Sequence, residues 1–264
     1  MIKPDLKDSD LVVENGVATI TFNRDDVRNA LTGTAIMRDI IELCEWVNLN
    51  HEIGAMVLTG SGKAFSAGGN IKDMRDKKGE IFGGHPIEQQ DGYRRGIQRM
   101  SMALYKAEVP LIAAVNGPAI GAGFDVICMC DIRVGCKYSK VGETFLNLGL
   151  IPGDGGAWFL PRVVGLQRAA EMTFSGRIVE PAEALEMGLF LELAPPEDLR
   201  NRAFEIAESF ADKPREALRM SKRLLQAGQR LELNDFLDFC ASQQALCQSS
   251  EQHHAAVEAF FKKN

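Results

Sequence analysis

Two glycine-rich segments hold the residues best suited to chemistry. Residues 60–70 read GSGKAFSAGGN and residues 116–125 read NGPAIGAGFD, each directly after an apolar run. Glycine at such places lets backbone approach a ligand closely. Either segment alone reads more readily as a tight strand-to-helix turn, but two after successive strands favour a shared site. A helix beginning near Gly121 leaves the N–H groups of its first turn without partners and points the positive end of its dipole the same way. The Ala122 N–H then faces any developing negative charge, and the turn at Gly68 and Gly69 supplies a second donor. Two such amides on one carbonyl oxygen form an oxyanion hole, where one donor is typically worth ~2.7–4 kcal/mol in the transition state. Asp125 follows Ala122 by three residues, on the same helix face, where a general base would stand. Its competing reading is a charge that only favours the helix N-terminus.

Other site chemistries fail on spacing. A P-loop requires GxxxxGK[ST], but Val57 stands at its first glycine and Ala64 follows Lys63. The dinucleotide fingerprint starts at Gly121-Ala122-Gly123 and meets Val126 where its third glycine belongs. Ser66 sits in a near nucleophile elbow, but His85 and the pair His253 and His254 are weak partners for it. No histidines have the i,i+4 spacing of a helical metal pair, and the six cysteines contain no CxxC, so no metal site is expected.

The elements that must position these residues are of mixed type. Residues 16–22 (GVATITF) alternate as a half-buried strand, and Ile36, Ile40, Ile41, Cys44 and Val47 mark a helix after them. The runs 53–59 (IGAMVLT) and 109–115 (VPLIAAV) suit buried strands between helices. An α/β core is expected. Residues 75–98 mix charges, glycines and a proline, as a mobile pocket rim leading into a helix would. From about Pro196 the chain reads as helices only, with Pro214 opening one and Ser249 and Gln252 spaced as a capping box for the last.

The chain has 264 residues, 45% hydrophobic and 25% charged, the mix of an ordinary globular protein. With 30 Lys plus Arg against 36 Asp plus Glu, the net charge of -6 offers nucleic acid or an anionic membrane no general attraction. The basic clusters RDKK and YRRGIQR are too short and interrupted to suggest RNA binding. The charged start MIKPDLKDSD lacks the apolar run of a signal peptide, and cysteines in runs such as VICMC read as reduced, buried thiols. A cytoplasmic protein is expected.

Five ordered blocks over about residues 10–190 resemble the crotonase superfamily, the enoyl-CoA hydratase/isomerase family: RNAL, AFSAGGNIKDM, AAVNGPAIGAGFD, CDIRV and GLIPGDGG. SKRLL and EAFFKK in the tail resemble its closing helices. The resemblance implies an α/β, crotonase-like spiral of ββα repeats over residues 1–195, followed by a helical trimerisation region over 196–264, giving homotrimers or hexamers built as dimers of trimers. It implies a coenzyme A thioester as substrate, with no separate cofactor. By motif position, the N–H groups of Gly69 and Ala122 become the enolate-stabilising pair. Arg28, Ala30, Ser66, Ala67, Gly68, Asn70 and Ile71 fall in the CoA-binding blocks, with the Ala67 carbonyl reading the adenine amino group. Lys222, Phe260 and Lys263 match tail positions that complete the CoA site.

In the family's hydratases two glutamates flank the substrate. Asp125 stands at the first position, but Phe145 stands at the second. Glu143 and Asp154 are the nearby acids available instead, each with a plainer reading, Glu143 as a solvated charge and Asp154 as a turn former. Family isomerases also carry an Asp at the position of Asp125, and some an acid one residue before Asp154, where this chain has Gly153. Hydration of 2-enoyl-CoA is expected first, with a double-bond isomerase or an inactive acyl-CoA-binding scaffold as alternatives.

Overall fold

The computed structural model describes residues 2–263, the side chains of Glu80 and Lys263 excepted. The chain runs β1 (Ser9–Glu14), β2 (Val17–Phe22), α1 (Ile36–Leu49), β3 (Ala55–Gly60), α2 (Ile71–Asp76), α3 (Gly79–Phe82), α4 (Pro86–Arg95) and α5 (Ile97–Tyr105). It continues through β4 (Leu111–Ala114), β5 (Ala119–Ile120), α6 (Ala122–Met129), β6 (Ile132–Gly135), β7 (Val141–Gly142), α7 (Gly156–Val164), α8 (Leu166–Ser175), α9 (Pro181–Glu186) and β8 (Glu192–Leu193). The last four helices are α10 (Leu199–Ala211), α11 (Arg215–Ala227), α12 (Leu233–Gln248) and α13 (Glu251–Lys263).

Six strands form one sheet in the order β1-β2-β3-β4-β6-β8, antiparallel only between β1 and β2. The parallel strands β3 and β4 are buried along their whole length, as covering on both faces requires. Side chains alternate between those faces: Met56 and Leu58 join Ile20, Phe22, Phe65 and Phe124 in one core, whereas Ala55 and Val57 meet Ile206 and Ala207 of α10 in the other.

A second, short parallel pair, β5 with β7, lies beyond the main sheet and is extended by a bridge from Ser66 to Ala119. Each main strand therefore leads to a short outer one and then to helix: β3 to Ser66 and α2, β4 to β5 and α6, β6 to β7 and the helices after it. This is the expected ββα spiral.

Two expectations change. The segment after Pro196 does not leave the core, because α10 packs Leu199, Ala203, Ile206 and Ala207 on the sheet. The core thus runs past the expected boundary at residue 195, and of the helices after it only α12 and α13 lack buried side chains among the described residues. Ser250, not Ser249, caps α13, its Oγ accepting from His253 N at 3.1 Å, while Ser249 Oγ donates back to the Ala245 carbonyl. The 75–98 segment holds the end of α2, all of α3 and α4, and the start of α5.

Candidate active site

The turn after β3 is knitted to the turn before α1. Ser66 Oγ, fully buried, donates to the Asn29 carbonyl at 2.7 Å and accepts from Gly68 N at 3.1 Å. Ala67 N donates to the Arg28 carbonyl and Leu31 N to the Gly68 carbonyl. These bonds hold Gly68 at φ +76°, against the start of α6: a Cβ there would stand 2.9 Å from Ala122 N and collide with the Ile120 carbonyl. Gly121 precedes α6 at φ +53°, a conformation that glycine adopts without strain. Among the described residues, neither Gly69 N nor Ala122 N donates a hydrogen bond, while their neighbours Gly68 N and Asn70 N both do. Two free amides thus flank one backbone crossing.

Behind them the three candidate acids gather. Asp125 is fully buried in α6, and its Oδ2 accepts Gly156 N at 3.0 Å. A Cβ on Gly156 would strike Asp125 Oδ1 and Glu143 Oε1 together, so both carboxylates converge on that glycine. Glu143 is buried as well and takes a hydrogen bond on Oε2 from the Thr173 hydroxyl of α8. Asp154, 3% exposed in the turn before α7, holds its backbone carbonyl against Ser101 Oγ at 2.5 Å. Among the described residues no donor reaches Asp125 Oδ1, Glu143 Oε1 or either oxygen of Asp154.

Burial pushes all three carboxyls above their ordinary range. For Asp125 the negative charges of Asp154 and Glu143 add to burial, and the Gly156 amide opposes them. For Glu143 the Thr173 hydroxyl opposes burial. For Asp154 the neighbouring Asp125 carboxyl opposes it. The negative charge of Asp154 disfavours ionisation of Asp125, so the two carboxyls titrate as a linked pair. Carboxyls raised in this way can both give and take a proton.

An apolar cavity of about 510 Å³ opens beside the free amides, lined by Ile71, Met74, Phe82, Tyr93, Leu148 and Leu150 with Arg75 and Lys77. It adjoins Gly69, where a Cβ would collide with Met74 Cε and stand 3.7 Å from Phe82 Cζ. Tyr93 reaches the acids, its ring 3.5 Å from the Cβ position of Gly153 and its phenol pushed up by burial and by the Asp154 charge. Phe145 lies over the other side, two ring carbons 3.9 Å from the Cβ position of Gly121. The substituted position is thus at the site and is apolar.

Not every expected residue lines this site. Ser66 is a buried brace of the turn, and Ala30 is 2% exposed, so neither side chain is open to a ligand. Lys222 is no surface cation: its ammonium is buried between the Val109 carbonyl and Asp131, at 2.7 Å from each. Arg28, in the left-handed region at φ 55°, keeps an exposed guanidinium, and Ile71 is exposed. Asn70 spends its Oδ1 capping α2 at Lys72 N. Phe260 is exposed on α13, and the Lys263 side chain lies outside the described residues. Sequence reasoning missed Gly156, Thr173 and Tyr93. Gly156 lay within reach, as the last residue of the GLIPGDGG block, whereas nothing in the spacing joins Thr173 to Glu143.

Comparison with known proteins agrees with this geometry. Residues 12–264 match the family profile described as enoyl-CoA hydratase/isomerase. The chain is 32% identical over 253 residues to the short-chain-enoyl-CoA hydratase of Clostridium acetobutylicum, covering 95% of this chain and 93% of that protein. It is 29% identical over 251 residues to the crotonyl-CoA hydratase of Syntrophomonas wolfei, with the same coverage. The crystal structure of an enoyl-CoA hydratase/isomerase from Cupriavidus metallidurans superposes with a TM-score of 0.89 at 32% identity, covering 99% of this chain and 96% of that one. An enoyl-CoA hydratase from Bacillus anthracis superposes at 0.90 with 27% identity, covering 98% and 97%. With its outer-strand spiral, its paired free amides and a match over almost its whole length, the chain belongs to the enoyl-CoA hydratase/isomerase family.

Proposed function

We propose that the protein is an acyl-CoA enzyme that hydrates 2-enoyl-CoA thioesters. The observation that carries this reading is the pair of undonated amides, Gly69 and Ala122, set between an apolar cavity and a buried cluster of three acids. The thioester carbonyl accepts from both amides, and the α6 dipole adds to the field at that oxygen. Negative charge moving onto it makes the β-carbon open to water, and the Asp125 cluster moves the protons. The acyl chain takes the cavity beside Gly69. The CoA portion runs along Arg28, the Ala67 carbonyl, Asn70 and Ile71, and no other cofactor is needed. Hydration of crotonyl-CoA, followed as loss of enoyl absorbance, tests the proposal. CoA binding with no turnover on any acyl-CoA would leave a scaffold instead.

Phe145 favours a second reading. A hydratase needs an acid-base group on each side of the bond that water crosses, and an apolar ring occupies one of those places. A double-bond isomerase needs only one cluster to remove a proton and return it elsewhere, which Asp125 with Asp154 or Glu143 can do. Migration on a 3-enoyl-CoA without hydration of crotonyl-CoA would select it.

The bare faces of α12 and α13, with Leu233 71% and Phe261 72% exposed, support assembly into trimers or hexamers, in which Phe260 and Lys263 would meet a neighbour's CoA site. Light scattering gives the mass directly, and a monomer would end that reading. No helix among the described residues is long and apolar enough to cross a membrane. Six free cysteines, four of them buried, support a reducing, cytoplasmic location.

A further inference from the structure

We propose that Thr173 is a positioning residue for the acid cluster: its hydroxyl holds Glu143 Oε2, which turns Oε1 toward Asp125 across Gly156. The inference rests on the acid-base reading of that cluster. A threonine in a helix commonly returns its hydroxyl to a carbonyl one turn back, but Thr173 sends its hydroxyl 30 residues away in sequence, to Glu143. Of the three acids, Glu143 alone receives a side-chain hydroxyl on its carboxylate; Asp125 has one backbone amide there, and no donor among the described residues reaches the Asp154 carboxylate. A valine would fill the same space without that bond, so the hydroxyl is what matters.

The titratable groups facing Glu143 are Asp125 and Cys128 of α6 and Asp154 before α7, with Tyr93 of α4 beyond Asp154. None of them is a cation. The Thr173 hydroxyl therefore provides the favourable contact that opposes the upward push of burial and of the Asp154 charge on the Glu143 carboxyl. Without it, Glu143 takes up a proton at higher pH and its free oxygen is no longer fixed.

Thr173→Val, Thr173→Ser and Glu143→Gln test this through kcat for crotonyl-CoA and through Tm, both followed from pH 5 to 9. Thr173→Val is expected to move the acidic limb of kcat and the inflection of the Tm curve upward by about one pH unit, the scale of one hydrogen bond to a charged group. Thr173→Ser should restore both, and Glu143→Gln should abolish the difference that Thr173→Val makes. Curves for Thr173→Val that superimpose on wild type, or a shift that persists with Glu143→Gln, would overturn the proposal. Should Thr173→Val not fold, a Tm curve for Glu143→Gln identical to wild type overturns it equally. The Tm arm needs no turnover, so an inactive wild type with the Tm shift intact refutes the hydratase reading alone.

Discussion

Asp125 Oδ2 accepts the backbone N–H of Gly156 at 3.0 Å, a bond that ties the helix carrying the candidate base to the helix that follows the GLIPGDGG turn. It fixes the carboxylate by one edge and leaves the other, Oδ1, directed at Glu143 and at any proton passing between them. Asp125→Asn keeps the shape and removes the base. A fall in kcat of roughly 10²-fold or more is expected, with CoA affinity measured by calorimetry nearly unchanged.

The same substitution should alter stability in a pH-dependent way. A carboxyl whose folded pKa is raised contributes fully below its unfolded value of about 3.9, and that contribution is lost as pH rises through the folded value. Asp125 is such a group, held up by burial and by Asp154 and Glu143. Asp125→Asn is therefore expected to flatten the fall of Tm above about pH 4 and to be more stable than wild type at pH 8. Thermal melts across that range decide it.

Gly68 packs against Ala122 N at a φ of +76°. Gly68→Ala adds a Cβ that pushes the two free amides apart and strains the backbone as well. Loss of one oxyanion donor costs ~10²–10³ in kcat, and a loss of that size is expected here with KM changing less. Steady-state kinetics beside a CoA-binding measurement separates the two effects.

Phe145 stands over Gly121, where a second carboxylate would face the helix N-terminus. Phe145→Glu places a charge there that the dipole of α6 favours. The ratio of hydration to double-bond migration is expected to rise by about tenfold or more, within the reach of one added acid-base group. Product analysis by chromatography on 2-enoyl and 3-enoyl substrates measures that ratio.

Lys222 bridges α11 to the sheet through Asp131 and the Val109 carbonyl. Removing one partner of a buried pair costs ~3–5 kcal/mol, and less here because Asp131 is 39% exposed. Lys222→Met is expected to cost about 2 kcal/mol, which is roughly 4–8 °C in Tm for a chain of this size, with CoA affinity unchanged. A loss of CoA affinity at constant Tm would return Lys222 to the CoA site.

The sequence by itself determined the elements built from local pattern. Continuous apolar runs became the buried strands β3 and β4, alternation became β2, and glycines after two strands became the free-amide turns, because each depends only on near neighbours and the chain's own periodicity. It also narrowed the acids to Asp125, Glu143 and Asp154, through motif position.

What only the tertiary structure decided is how distant residues share charge and space. Glu143 is buried rather than solvated because α8 brings Thr173 to it, and Lys222 turns inward because Asp131 and Val109 wait there. No local signal records a partner 30 or 91 residues away. Helix α10 likewise joined the core because the far face of the sheet was apolar and needed covering, a demand written in β2, β3 and β4 rather than in α10 itself. Burial, and hence the proton balance of the acids, exists only once those faces have met.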